Sequence, residues 1–290
     1  MNAEVEAVIG RIPQLRGRKV VVEPLGGGLT NRNFHIECGR ERFVLRIAGE
    51  NSGQLGINRR VEYACAQAAF AAGIGPEVVA FFPRRRAMVS RFVPGKVLAG
   101  RDVRQPGILR RVVESLRRYH EGPVGKGTFS VFKTVRKYYA DAAKPTNPFP
   151  PEIDAAWEIL ARVEREAGTP DRLRPCHNDL LPANFVHHRG RVWILDWEYA
   201  GAGDLFFDLG NLAANGSFKR EDEIRLLKLY FGKTRAVDLR RLQLMRLASD
   251  MREAMWGFLQ MQISKLEFDY QTYALDHLDR FLKRAGRMFD

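Results

Sequence analysis

The chain has 290 residues, 45% of them hydrophobic and 28% charged, a balance that supports a buried core and excludes fibrous, low-complexity and disordered readings. Forty-seven Lys and Arg against 34 Asp and Glu leave a formal charge of +13, which favours anionic partners such as nucleotide phosphates. The basic residues are scattered over 84–86, 110–111, 117–118 and 133–137 without a recognition module beside them, so no specific nucleic-acid partner is expected.

Cys38, Cys65 and Cys176 are odd in number and far apart, which speaks against a disulfide framework and a zinc ribbon. The first ten residues carry no leader pattern, and no apolar run approaches the roughly 18 residues of a membrane helix. A cytoplasmic protein of one large domain or two lobes is expected, with its oligomeric state open.

Residues 20–47 alternate as strands, with Val20-Val21-Val22, Asn33-Phe34-His35-Ile36 and Arg42-Phe43-Val44-Leu45-Arg46-Ile47 separated by a glycine run at 26–28 and a turn at Cys38-Gly39-Arg40. This predicts two hairpins in one small antiparallel sheet. A helix is predicted over 58–72, because Val61, Ala64, Cys65, Ala68 and Ala72 share a face and Gly73 supplies a stop. Strands return at 76–82 and 87–92, and Pro94-Gly95 closes the block.

Most of the remainder reads as helix, over 105–120, 133–143, 153–167, 222–231 and 237–263, with a proline-rich connection at 144–151. The segment 174–196 differs. Its short strands Phe185-Val186-His187-His188 and Val192-Trp193-Ile194-Leu195 are joined by a turn at Arg189-Gly190.

That segment holds the chemistry. Asp179 and Asn184 stand five residues apart, and Asp196 follows a hairpin that returns the chain to its start, so Asn184 and Asp196 can both offer oxygen to Mg²⁺. Asp179 then stays free to orient a substrate hydroxyl and take its proton during phosphoryl transfer. A plain polar loop would need none of this joint spacing. His-x-Asp-x-x-x-x-Asn followed by a metal-binding Asp is also the protein-kinase skeleton; His177 is then structural, bracing the backbone near Asp196. Gly27 and Gly28 can bring backbone N–H groups to phosphate, Arg46 has the position of the phosphate-contacting kinase Lys, and Glu62 can hold Arg46 by an ion pair.

With these residues in view the chain resembles the choline/ethanolamine kinases, in the aminoglycoside-phosphotransferase-like branch of the protein kinase-like fold. The likeness covers most of the chain. Gly27-Gly28-Leu29-Thr30-Asn31 resembles the family's phosphate loop, Phe43 to Ile47 its strand with Arg in place of Lys, and Phe92-Val93-Pro94-Gly95 its hinge. His177 to Asn184 resembles the catalytic loop, Ile194 to Tyr199 the metal-binding segment, and Asp208-Leu209-Gly210-Asn211 continues the match.

The resemblance implies an α+β, bilobal protein kinase-like fold. Residues 1–94 would form a small antiparallel-sheet lobe with one helix, binding nucleotide, and 95–290 a larger, mainly helical lobe for catalysis and acceptor binding. It implies ATP and Mg²⁺ as cofactors, with Gly27, Gly28, Thr30, Asn31 and Arg46 on the phosphates, Glu62 steadying Arg46, adenine near Ser90 and Phe92, metal on Asn184 and Asp196, and Asp179 as base. Trp256-Gly257 followed by Glu267-Phe268-x-Tyr270-x-x-Tyr273 resembles the segment whose rings box a trimethylammonium head, with Glu198, Tyr199, Trp256 and Tyr273 receiving the cation. Leu259 stands where a second cage Trp is frequent, and Ser90 where a hinge acid is common.

The expected acceptor is a small amino alcohol, choline or ethanolamine. A related kinase for thiamine, an aminoglycoside or another hydroxylated amine, and a catalytically silent nucleotide binder docked on an anionic surface, are the alternatives.

Overall fold

The computed structural model describes residues 3–26, 31–49, 51–144 and 148–289; Gly27, Gly28 and Thr30 of the expected phosphate loop lie outside them. Five strands, β1 (Val21–Leu25), β2 (Asn31–Cys38), β3 (Glu41–Ala48), β4 (Val78–Phe82) and β5 (Ala87–Arg91), form an antiparallel sheet in the order β1-β2-β3-β5-β4. The two-residue period of a strand sorts its side chains. On β3, Phe43, Leu45 and Ile47 are buried in a core with Val5, Val8 and Ile9 of helix α1 (Ala3–Ile9). Val44 and Arg46 therefore face the other way, into the cleft, as do their β5 partners Ser90 and Met88.

Helix α2 (Arg59–Ala71) begins where the Asn58 side chain accepts from the N–H groups of Arg60 and Val61. Its Cys65, Ala66 and Ala69 pack with Phe185 and Trp197 of the second lobe, so α2 ties the small sheet to the segment that carries the chemistry.

The chain leaves the sheet through Gly95, which has φ +145, a conformation that suits glycine. A Cβ there would lie 2.5 Å from the carbonyl oxygen of His187. The next strand, β6 (Lys96–Val97), joins β8 (Phe185–His188) and β9 (Arg191–Ile194) in a three-stranded sheet. Arg189 and Gly190, both at positive φ, make the two-residue turn of the β8–β9 hairpin. A short pair, β7 (Arg174–Cys176) with β10 (Gly201–Gly203), starts the catalytic loop beside the end of the metal-binding segment.

Helices make up the rest: α3 (Gly100–Val103), α4 (Pro106–His120), α5 (Val131–Ala142), α6 (Ile153–Ala167), α7 (Leu205–Asn215), α8 (Arg220–Phe231), α9 (Ala236–Ile263) and α10 (Tyr270–Phe289). The long α9 is the axis of this lobe, buried almost continuously from Leu244 to Gln260 and packed against α5, α6, α7 and α10. Gly210 lets α7 lie directly on it: a Cβ would come within 2.7 Å of the α9 backbone at Met245 and Arg246.

The α+β, bilobal protein kinase-like architecture agrees with expectation, and every predicted helix is present with ends within one residue except that α5 and α8 begin two residues earlier. Besides the four-residue α3, three helices were not anticipated. The first, α1, is short and covers the far face of the sheet; α7 is buried on nearly every side, so it has no polar face to produce a 3.6-residue period. The amphipathic α10 does show the period, at Tyr270, Ala274, Leu278, Phe281 and Ala285, but its start coincides with the aromatic segment that the resemblance assigned to the acceptor. Among the described residues no helix is long and apolar enough to cross a membrane. The three cysteines are unbonded and buried.

Candidate active site

The catalytic loop is held from several directions at once. Asp208, in the first turn of α7 and fully buried, accepts from the backbone N–H of His177 at 2.8 Å and of Asn178 at 2.6 Å, and meets His120 Nε2 at 3.0 Å. Asn211 accepts the N–H of Leu180 and donates to Ser249 Oγ of α9 at 2.9 Å. Asn178 adopts φ +64, and these fixed acceptors hold that unusual backbone. His120, Cys176 and Asp208 converge closely, but the carboxylate and imidazole are already committed to the loop and to Tyr230, so this is a brace.

His177 has a defined tautomer. Its Nδ1 accepts the N–H of Asp179 at 3.2 Å, so Nε2 carries the proton and donates to the carbonyl of Leu195 at 2.8 Å. Burial lowers its pKa and keeps the ring neutral. The ring thus spans from Asp179 to the residue before Asp196. Asp196 itself sits at φ +61, while the N–H of Leu195 donates to the carbonyl of Asn184 at 2.8 Å, which sets Asn184 and Asp196 side by side on the cleft floor.

Asp179 has a charge partner that the spacing does not reveal. Arg252 of α9 donates to its Oδ1 at 2.9 Å and to the carbonyl of Asn178 at 2.6 Å. A buried carboxylate without a charge partner is costly, and the fully buried guanidinium supplies one. Burial nevertheless pushes Asp179 up to about 7, Arg252 pulling down and the nearby charges of Glu253 and Asp196 pushing the same way as burial. Such a group divides between its protonated and ionised forms near neutral pH, and its ionised form is basic enough to take a proton.

A second network joins the lobes. Arg46 forms an ion pair with Glu62 and donates to Asp196 Oδ1 at 2.6 Å. Arg59 donates to Glu62 at 2.8 Å, Glu198 at 3.0 Å, Asn31 at 3.0 Å and Ser52 at 2.7 Å, and Asn31 donates to Glu198 at 2.9 Å. Asn31 and Glu198, expected on phosphate and on the acceptor's cationic head, are therefore engaged with each other and with Arg59. Glu198 lines the cleft as well, with its charge facing a cation from α2.

Between the lobes lies a cleft of about 530 Å³. Val44, Val78 and Met88 form its roof and Leu181, Val186 and Leu195 its floor, an apolar slot suited to a flat base. Ser90 lines it from β5. The N–H groups of Arg91 and Phe92 already donate to the carbonyls of Glu77 and Arg42, and the Phe92 ring packs edge-on to His35 at 4.7 Å beneath the Arg42 guanidinium. A base reaching this edge is left with hinge carbonyls and the backbone of Val93.

Farther along the same cleft Trp256 of α9 and Tyr273 of α10 meet at 5.5 Å between ring centres, beside Tyr199 and Glu253. One face of Tyr199 is covered by the Arg252 guanidinium at 4.8 Å, so this ring backs the arginine that holds Asp179 as well as lining the cleft.

The floor fits a hard divalent cation by its donor set. Asn184 spends its amide nitrogen on the carbonyl of Asp179 at 3.0 Å, leaving its carbonyl oxygen for a metal, and Asp196 adds a carboxylate. Its desolvated position and the charge of Glu198 push Asp196 up to about 6 against the pull of Arg46 and Arg59; a carboxylate so crowded gains from a second cation.

Arg59, Arg252 and Glu253 were not anticipated. The signal existed for the last two: adjacent charges interrupt the apolar run of α9 on a face otherwise buried, and buried charges call for partners.

The model of the choline/ethanolamine kinase family matches residues 22–227. Protein LicA of Haemophilus influenzae is 27% identical over 269 residues, covering 89% of this chain and 78% of LicA. Among solved structures, a choline/ethanolamine kinase family protein of Mesorhizobium loti superposes with a TM-score of 0.84 at 28% identity, covering 97% of this chain and 93% of that one. A LicA solved in complex with AMP gives 0.78 at 20% identity, covering 98% of each.

Proposed function

The chain belongs to the choline/ethanolamine kinase family, and on that premise we propose that it transfers the terminal phosphoryl group of ATP, with Mg²⁺, to the hydroxyl of choline or ethanolamine. The observation that carries this reading is Asp179, buried, oriented by Arg252 and held near neutrality, beside the oxygen pair of Asn184 and Asp196 in one cleft. The class of reaction is phosphoryl transfer to an alcohol.

Adenine enters the apolar slot under Val44, Val78 and Met88, and Arg46 reaches the phosphates from β3. Gly27, Gly28 and Thr30 complete the phosphate side in this reading. Asn184 and Asp196 would hold Mg²⁺, which when bound neutralises charge on the phosphates. Asp179 accepts a hydrogen bond from the acceptor hydroxyl, aims its oxygen at the terminal phosphorus, and takes the proton as the new P–O bond forms and the bond to the leaving ADP breaks. Trp256 and Tyr273 receive the ammonium group through ring faces. Lobes of 1–94 and 95–290, dividing at Gly95, and a cytoplasmic setting where ATP is abundant, go with this reading.

The test is ADP release from Mg-ATP with choline, ethanolamine, thiamine, kanamycin or no acceptor. Release dependent on choline or ethanolamine and absent with the others is the expected result. Release dependent on kanamycin or thiamine alone would replace the acceptor, and acceptor-independent or absent release would remove the proposed activity.

A further inference from the structure

Glu253 lies one residue from Arg252 on α9, 4% exposed, and lines the cleft with Trp256 and Tyr273. Its two oxygens are unequal. Oε2 accepts from the Tyr273 hydroxyl at 2.8 Å. Oε1 is buried and accepts no hydrogen bond; its nearest cation is Arg252 Nη2 at 3.3 Å, and that nitrogen already donates to Asp179 at 2.9 Å. One guanidinium thus stands between two carboxylates, leaving an unfilled acceptor on Glu253. An acceptor left unpaired after desolvation is costly, more so on a charged group, so the arrangement is complete only with a cationic donor in place.

Because Asp179 and Glu253 both approach the same Arg252 nitrogen, the two oxygens cannot be farther apart than those two distances laid end to end. A molecule with a hydroxyl and an ammonium on adjacent carbons spans such a gap, its oxygen at Asp179 and its nitrogen at Glu253. A quaternary ammonium would satisfy the charge but brings no N–H, and its methyl groups would leave Oε1 unpaired.

We infer that Glu253 is a specificity-determining residue, selecting an ammonium that carries an N–H, and that the preferred acceptor is therefore of the ethanolamine class rather than choline. This rests on the amino-alcohol kinase reading above. Trp256 and Tyr273 wall the site, and Glu253 decides between amines that fit within it. Sites that hydrogen-bond a substrate group discriminate strongly against analogues lacking it, whereas apolar walls do not.

The experiment measures kcat and KM for ethanolamine and its N-methyl, N,N-dimethyl and N,N,N-trimethyl derivatives with wild-type enzyme and Glu253→Gln. Wild type should show kcat/KM falling along the series, with the largest drop, at least tenfold, at the last methyl, where the final N–H is lost. Glu253→Gln should reduce the ethanolamine-to-choline ratio of kcat/KM tenfold or more, chiefly through the ethanolamine KM, while KM for Mg-ATP stays within threefold. Glutamine keeps an oxygen for the Tyr273 hydroxyl, and the wild-type series reads the preference without any substitution. A wild-type preference for choline, or a substitution that lowers both acceptors equally, overturns the inference while leaving the kinase reading intact. Absence of turnover with all four amines overturns both.

Discussion

Asp179 and Asp196 are both carboxylates on the floor of one cleft, raised by the same desolvation, yet each answers to a different part of the molecule. The cation on Asp196, Arg46, comes from the sheet of the first lobe, whereas Arg252 on Asp179 comes from the central helix of the same lobe as Asp179 itself. An ion pair across a cleft can be redistributed when phosphate and metal arrive, because Arg46 has Glu62 to fall back on. The pair within the lobe cannot: Arg252 is buried and also holds the Asn178 carbonyl. The adjustable ion pair across the cleft and the rigid one within the lobe thus fall to separate arginines.

The largest effect that would break this division is at the base. Asp179→Asn should lower kcat by about three orders of magnitude, as expected for loss of a positioned proton acceptor, while affinity for Mg-ATP in a direct binding measurement stays within a few fold. Arg46→Met should act in the opposite sense, raising KM for ATP about a hundredfold and leaving the acceptor KM within a few fold, because two charge-assisted bonds to phosphate are lost at about 1.5 kcal/mol or more each.

Rigidity has its own test in stability. Asp208→Ala strips acceptors from the buried N–H groups of His177 and Asn178 and should cost about 2 to 4 kcal/mol, read as a lower urea midpoint, with kcat falling because the loop loosens.

The pH profile sharpens the comparison further. Asp179 must be ionised to act, so acceptor kcat/KM should fall below a pH near its value of about 7. The positive charge of Arg252 favours the ionised form, so Arg252→Met moves that acid limb to higher pH, whereas Arg46→Met leaves it nearly in place. The smallest effect is at the acceptor wall, where Trp256→Ala should raise acceptor KM about tenfold through lost ring contact with the ammonium.

Legibility in the sequence followed the range of the interactions. The hairpin that brings Asn184 beside Asp196 is local: eight residues of alternating strand with a turn at Arg189 and Gly190 suffice, and its strands lie within a residue of where the pattern puts them. The Arg46 side of β3 could likewise be read from alternation, since Phe43, Leu45 and Ile47 had to face a core. Glu198 was harder. Its neighbour in sequence is the metal-binding segment, but its partners Arg59 and Asn31 lie more than a hundred residues away, and no local period connects them.

The chain order of strands and helices, the amphipathic faces and the joint spacing of Asp179, Asn184 and Asp196 are properties of neighbouring residues, and they were enough for the fold class and for bringing Asn184 beside Asp196. Which cation each carboxylate receives, and that Glu253 keeps one oxygen without a hydrogen bond inside an aromatic pocket, depend on α9 crossing behind the catalytic loop and α10 packing on α9. The physical reason is that a buried charge is governed by whatever the fold brings within a few ångströms of it, and for these residues those neighbours come from distant stretches of the chain.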